Sequence, residues 1–149
     1  MSTDSPAVTI VIPAYKVTPY IAQALDSCFE QTFQDFEIVV VNDGCPDTEA
    51  LEKVLEPYQS RIRYIKQKNT GVAGARNTAI RAARAPLILH LDADDWMDRE
   101  CLESQVALLR DRPELDAAYT NSIFFGNTDW NGTCLMDHYP SKAKSVSAA

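Results

Sequence analysis

Apolar and polar positions along this chain switch between a two-residue and a three-to-four-residue period, and the switches mark its elements. Val8 to Ile12 is a short β-branched run stopped by Pro13, which predicts a first strand ending in a loop. Tyr20, Ile21, Ala24, Leu25, Cys28 and Phe29 then recur at helical spacing. Thr18 and Pro19 ahead of them offer a capping hydroxyl and a first-turn proline, and the helix should end near Gln31 or Thr32. Phe36 to Val41 predicts a second strand whose Ile38–Val41 core suits a central position, followed by the turn signal Asn42-Asp43-Gly44. Asp47 or Thr48 can cap a helix to about Glu56, buried through Ala50, Leu51, Val54 and Leu55 and stopped by Pro57.

Arg61 to Lys66 alternates apolar and basic residues, as a third, more exposed strand would. Asn69 to Gly74 opens a helix running to about Arg84, with Ala75, Ala79, Ile80 and Ala83 as a small-residue inner face. Pro86 ends it. Leu87 to Leu91 is a fourth strand, apolar enough to be covered on both faces. Arg99 to Arg110 predicts a helix with Leu102, Val106 and Leu109 as its stripe, and Ala117 to Tyr119 a short strand. Beyond Asn121 the pattern fades. Strands alternating with helices imply right-handed crossovers and a doubly wound, mostly parallel α/β sheet flanked by helices. The expected organisation is a flexible lead-in over 1–7, an α/β domain over 8–121 and a poorly defined C-terminal segment over 122–149.

Composition narrows the chemistry. A length of 149 residues fits one domain with a substantial core, and 46% apolar content suits a globular chain. The formal charge of -7 argues against a nucleic-acid partner, because phosphate backbones are bound by basic surfaces. Cys28, Cys45, Cys101 and Cys134 form no C-x-x-C pair, which excludes zinc or redox spacing and suits reduced thiols in the cytoplasm. There is no secretory signal pattern and no apolar run long enough to span a membrane. Without such a signal, the sequon Asn131-Gly132-Thr133 reads as chance.

Three predicted strand ends carry polar clusters: Pro13-Ala14-Tyr15, Asn42-Asp43-Gly44 and Asp92 to Asp95. In a doubly wound sheet those ends share one edge, where ligands of such folds bind. Asp92, Asp94 and Asp95 repel one another and call for solvent, basic partners or a cation. Mg²⁺ or Mn²⁺ would accept their oxygens, with a substrate phosphate completing the shell. The plain alternative is an acidic turn ahead of a helix, a role in which Asp95 can serve as the cap. Asp43 could accept a base N–H while Tyr15 stacks on the ring; a turn-forming aspartate and a core aromatic are the bland readings. Arg76, in the first turn of the Gly-opened helix, could approach a phosphate, although Gly71 and Gly74 match neither a Walker nor a dinucleotide fingerprint. A solvent-facing arginine explains it equally well.

Together, Val-Thr-Ile-Val-Ile-Pro-Ala-Tyr at 8–15, Phe-Glu-Ile-Val-Val-Val-Asn-Asp-Gly at 36–44, Asn-Thr-Gly-Val-Ala-Gly-Ala-Arg-Asn at 69–77 and Leu-Asp-Ala-Asp-Asp at 91–95 resemble the family 2 glycosyltransferases. The likeness runs from Val8 to about Tyr119. It implies the glycosyltransferase-A fold, here incomplete at its C-terminal side. It also implies transfer of a sugar from a nucleotide diphosphate sugar, commonly UDP-linked, to an acceptor hydroxyl with inversion. By that resemblance Pro13, Ala14 and Tyr15 contact the nucleotide and Asp43 binds the base. Arg76 approaches the donor, Asp92 and Ala93 lie on its ribose side, and Asp94 ligates Mn²⁺ or Mg²⁺ on the diphosphate. An unknown carbohydrate or a lipid-linked acceptor at the inner membrane face would complete the reaction.

Two departures stand out. The family's Asp-Asp-Gly-Ser is Asn42-Asp43-Gly44-Cys45 here, which keeps the better-matched acid. After Trp96 there is no acidic pair suited to a catalytic base; Asp116, Asp129 and Asp137 are isolated. The competing readings are therefore a truncated or non-catalytic nucleotide-sugar-binding module and, ranked lower, a nucleotidyltransferase. The latter would carry a Gly-rich basic loop where Pro13-Ala14-Tyr15-Lys16 stands.

Overall fold

In the computed structural model, which describes residues 5–139, the chain divides into two compact units between Glu100 and Cys101. The first unit holds strands β1 (Val8–Ala14), β2 (Phe36–Asp43), β3 (Arg63–Gln67) and β4 (Leu87–His90). Between them lie helices α1 (Ile21–Phe29), α2 (Thr48–Leu55) and α3 (Gly71–Ala82). All strand pairings are parallel, in the order β3-β2-β1-β4. The fold is thus the Rossmann-like α/β sandwich that the alternating pattern predicts.

Position in the sheet explains composition. β1 and β2 are central, and every residue of Val8–Ala14 and Phe36–Asp43 is buried except the half-buried Pro13 and Phe36. Side chains alternate across a strand, so Val11, Val39 and Val41 meet Ala75 and Ala79 of α3 while Ile10, Ile12, Ile38 and Val40 face the other layer. The buried faces of α1 (Ile21, Ala24, Leu25, Cys28) and α2 (Leu51, Leu55) complete the apolar interior of this unit. Small residues on α3 let its backbone lie close to the sheet. Ile80 does not share that face and is 39% exposed, and Ala50 of α2 is likewise exposed, because the helical turn carries both away from the buried stripe.

β4 corrects a sequence expectation. Its apolar run reads as a strand covered on both faces, yet it lies at the edge of this sheet with Leu87, Ile88 and Leu89 only half-buried. Helix starts also differ. Tyr20 and Asp47, the residues preceding α1 and α2, make no side-chain capping bond. Thr18 instead donates its hydroxyl to Asp47 Oδ2 at 2.6 Å, so both polar residues are spent tying the two helix starts together.

The second unit contains α4 (Cys101–Asp111) and a single turn, α5 (Leu135–His138). Asp95 does not cap α4, which begins six residues later; Asp98 Oδ1 accepts the Glu100 N–H just ahead of it. The expected strand at Ala117–Tyr119 does not form. Its side chains are largely exposed, and β structure requires a paired neighbour. Ile123 and Cys134 form an isolated antiparallel bridge instead. Around it Trp130 stacks on His138 at 4.1 Å and meets Phe124 edge-on at 5.0 Å.

Candidate functional site

β1 leads through α1, β2, α2 and β3 to one side of itself, and the chain then returns so that β4 pairs on β1's other side. The order therefore reverses between β1 and β4. In open parallel sheets that reversal parts the connecting loops and leaves a crevice outside the carboxyl ends of the strands. A cleft of about 340 Å³ occupies that place. Pro13, Ala14, Tyr15 and Val17 form the wall following β1, Asp43 the end of β2, and Asp92, Ala93 and Asp94 the wall following β4. Asn69, Gly71, Val72 and Ala75 close it from the start of α3. Pro13, Ala14, Tyr15, Asp43, Asp92, Ala93 and Asp94 thus line this one cleft, whereas Arg76 and Asp95 do not.

Asp43 is almost wholly buried, at 2% exposure. Its Oδ1 accepts from Gln67 Nε2 at 2.7 Å, the Thr70 N–H at 2.9 Å and the Thr70 hydroxyl at 3.1 Å. Burial works to raise the pKa of this carboxyl. The donors of Gln67 and Thr70, with the Gly71 N–H, outweigh it and hold the pKa below the ordinary carboxylate value. Asp43 is therefore a fixed anion that caps the start of α3 from another strand. It engages the N–H groups of Thr70 and Gly71, where α3 begins.

Two glycines make the arrangement possible. Gly44 has φ +69°, and a Cβ there would lie 2.8 Å from the Asn69 backbone nitrogen. The close approach lets Asn69 Nδ2 donate to the Asp43 carbonyl at 2.9 Å. At Gly74 a Cβ would come within 2.2 Å of Thr70 Oγ1. Gly74 thus makes room for a side chain of its own chain.

The β1 wall has its own anchors. Lys16 adopts a left-handed backbone at φ 57°, and its N–H donates to Cys45 Sγ at 3.1 Å. The Cys45 thiol donates to Asp47 Oδ1 at 2.8 Å. Burial, followed by the neighbouring Asp47, pushes that thiol's pKa up, so it remains protonated and acts as a hydrogen-bonding spacer. The Lys16 ammonium lies 5.4 Å from the centroid of the Tyr15 ring, which is itself 44% exposed. Asn42, the other departure, donates through Nδ2 to Thr48 Oγ1 and Tyr64 Oη and accepts the Cys45 N–H on Oδ1. A neutral amide fills both roles, and a carboxylate at this position could not donate.

On the β4 wall, a tight turn (Asp95 N–H to Asp92 C=O, 3.0 Å) brings the three aspartates together. Arg76 Nη2 donates to Asp92 Oδ1 at 2.5 Å, while Arg76 Nε is buried with no hydrogen-bond partner. Arg76 thereby offsets one charge of the cluster. The Asp95 carboxyl is raised, first by desolvation in the turn and then by the charges of Asp94 and Asp92. Among the described residues no three acidic, histidine or cysteine side chains converge as a ready-made metal cage. Asp94 is exposed on the cleft wall, and its carboxylate could hold Mg²⁺ or Mn²⁺, which take one or two carboxylates and complete their shell with water and substrate phosphate.

Gln67, Thr70 and Cys45 were not legible as site residues. The available signal was polar character at the carboxyl end of an alternating strand (Gln67) and the cysteine just past the Asp-Gly turn.

The profile of glycosyl transferase family 2 matches residues 9–144. The chain is 44% identical over 95 residues to the uncharacterized glycosyltransferase EpsJ of Bacillus subtilis, covering 62% of this chain and 27% of that one. Against the chondroitin synthase of Escherichia coli it is 35% identical over 136 residues, 90% of this chain and 19% of the relative. Among solved structures, S. aureus TarS 1-349 in complex with UDP-GlcNAc superposes with a TM-score of 0.63 at 27% identity, covering 71% of this chain and 32% of that 1-349 chain. The mannosyltransferase PcManGT of Pyrobaculum calidifontis, in complex with GDP-Man and Mn²⁺, gives 0.62 at 31% identity, covering 72% and 33%. The chain thus spans about a quarter or less of these two curated relatives and a third of these structures. With that profile covering most of its length, the chain belongs to glycosyl transferase family 2.

Proposed function

We propose that this chain binds the donor in an inverting, metal-assisted glycosyl transfer from a nucleotide diphosphate sugar, with UDP as the carrier. The observation that carries the reading is the cleft at the β1/β4 reversal, with a buried anion at one end and exposed carboxylates at the other. Solved relatives with UDP-GlcNAc, or with GDP-Man and Mn²⁺, support the ligand class.

In this reading Tyr15 stacks on the base, with Pro13 and Ala14 beside it, and Asp43 accepts a base N–H. Asp92 and Ala93 border the ribose, and Arg76 steadies Asp92 near the donor. Asp94 holds Mn²⁺ or Mg²⁺, which when bound supplies positive charge to the departing diphosphate. Displacement at the anomeric carbon transfers the glycosyl group to an acceptor hydroxyl with inversion. These residues account for holding the donor; the base that takes the acceptor's proton lies outside them. The acceptor is a carbohydrate or lipid-linked glycan, met in the cytoplasm at the inner membrane face. No helix among the described residues is long and apolar enough to cross a membrane.

Titration calorimetry of UDP with and without Mn²⁺ tests the assignment. Mn²⁺ should tighten binding by the wild type. Asp94→Asn should weaken the Mn²⁺-dependent binding by roughly tenfold, the scale of one lost charged contact, with little change when Mn²⁺ is absent. Equal binding by both proteins in Mn²⁺ would overturn the metal assignment.

A further inference from the structure

We propose that Gln67 is a positioning residue for nucleotide recognition, saturating one oxygen of Asp43 so that the other is presented to the base. The inference rests on the reading that Asp43 meets the base. It concerns a residue at the end of β3 that does not itself line the cleft.

The geometry is a closed triangle. Gln67 Nε2 donates one hydrogen to Asp43 Oδ1 at 2.7 Å and the other to Thr70 Oγ1 at 2.6 Å. Thr70 Oγ1, having accepted, passes its own hydrogen to Asp43 Oδ1 at 3.1 Å, and the Thr70 N–H adds a third donor at 2.9 Å. An amide supplies two hydrogens on one nitrogen and a hydroxyl supplies one while accepting another, so every atom of the triangle is used in its permitted sense. Three donors fill Oδ1, and the Gly71 N–H also bonds this carboxylate, so a ligand meets the lone pair left on Oδ2, which as part of an ionised carboxylate can only accept.

That selects the ligand chemically. The preferred base carries an N–H where it meets Asp43, as the imide of uracil or the N1–H of guanine does. A base with a lone pair or an N-methyl group in that place leaves a buried carboxylate oxygen without its donor, which is costly. Gln67 sharpens this choice because its donors stop the carboxyl group from rotating or taking up a proton. A protonated Asp43 could donate as well as accept, and the selection would blur.

The test compares shape with hydrogen-bonding sense, measuring Kd for UDP and for N3-methyl-UDP in Mn²⁺. Gln67→Glu keeps the shape and replaces the donor with a second carboxylate; Gln67→Lys changes the shape and keeps a donor. The proposal expects Gln67→Glu to lose about tenfold in UDP affinity, consistent with one charge-assisted hydrogen bond. Its preference for UDP over N3-methyl-UDP should shrink, while Gln67→Lys stays within about threefold of wild type. Packing alone predicts the reverse order, and that result overturns the proposal. Repeating Gln67→Glu in an Asp43→Ala background should remove most of its effect; an undiminished effect also overturns it. If Asp43→Ala alone leaves UDP affinity unchanged, the base-binding reading of Asp43 fails and this inference fails with it. Gln67 is half-exposed, and Thr70→Val, which deletes only the hydroxyl, provides an independent variant expected to lose about fivefold.

Discussion

At the scale of single residues, the site depends on what one atom leaves room for. Gly74 lies in the first turn of α3, where alanine would ordinarily stabilise a helix by about 1 kcal/mol. Here the added methyl would sit 2.2 Å from Thr70 Oγ1 and 2.6 Å from Thr70 Cβ. We expect Gly74→Ala to destabilise the protein by about 1–3 kcal/mol in chemical denaturation, as overpacked sites do, and to weaken UDP binding by about fivefold through the displaced Thr70 donor. The sign alone is informative, since a gain in stability would mean that Thr70 can move away freely. The sequence made Asp43, Asp92 and Asp94 legible because a carboxylate next to a strand end announces chemistry. It did not reveal Gln67 or Thr70, because neutral donors that support a carboxylate resemble any polar residues of a loop. Their partner is 24 or 27 positions away, and local pattern cannot see across that separation.

At the scale of elements, the opposite end of the sheet has a buried acid of its own. Glu37 of β2, 8% exposed, accepts from the Thr9 hydroxyl of β1 at 2.8 Å and from the Arg84 N–H and Nε beyond α3 at 2.7 and 2.8 Å. Arg63 of β3 lies 3.5 Å from it and also donates to the Ala82 carbonyl at the end of α3. Burial pushes the Glu37 pKa up, but the Arg84 N–H, the Thr9 hydroxyl and the Arg84 guanidinium together bring it below the ordinary 4.5. A folded pKa below the unfolded one contributes stability at neutral pH, and that contribution is lost as pH falls below about 4.5 through the lowered value. Glu37→Ala should cost about 2–3 kcal/mol at pH 7, by leaving buried donors unpaired. The loss should be smaller below pH 4, measured as the difference between the two urea midpoints across pH. A constant difference would show that packing, not charge, is at stake. Element types were readable because β1 and β2 are β-branched apolar runs and α1 and α2 repeat their buried residues at helical spacing. β4 was misjudged because an apolar run reports hydrophobic surroundings and cannot tell a central strand from a half-covered edge.

At the scale of the whole molecule, strand order converts separate motifs into a site. Four parallel strands with a reversal between β1 and β4 bring residues 13–15, 17, 43 and 92–94 to one crevice, an outcome legible in the alternation of strands and helices along the sequence. The less patterned stretch after Asn121 was not legible, because its aromatic contacts follow no period. Ligand linkage gives a global test. UDP with Mn²⁺ at a hundred times its Kd should raise unfolding free energy by about 2.7 kcal/mol, seen as a higher melting temperature in scanning calorimetry. An unmoved transition would mean that the folded chain does not hold this ligand. Every residue lining the cleft comes from positions 13–94. In engineering terms such a cleft is a portable cartridge on the proposed reading: a change in the sequence downstream of Asp94 leaves every lining residue in place.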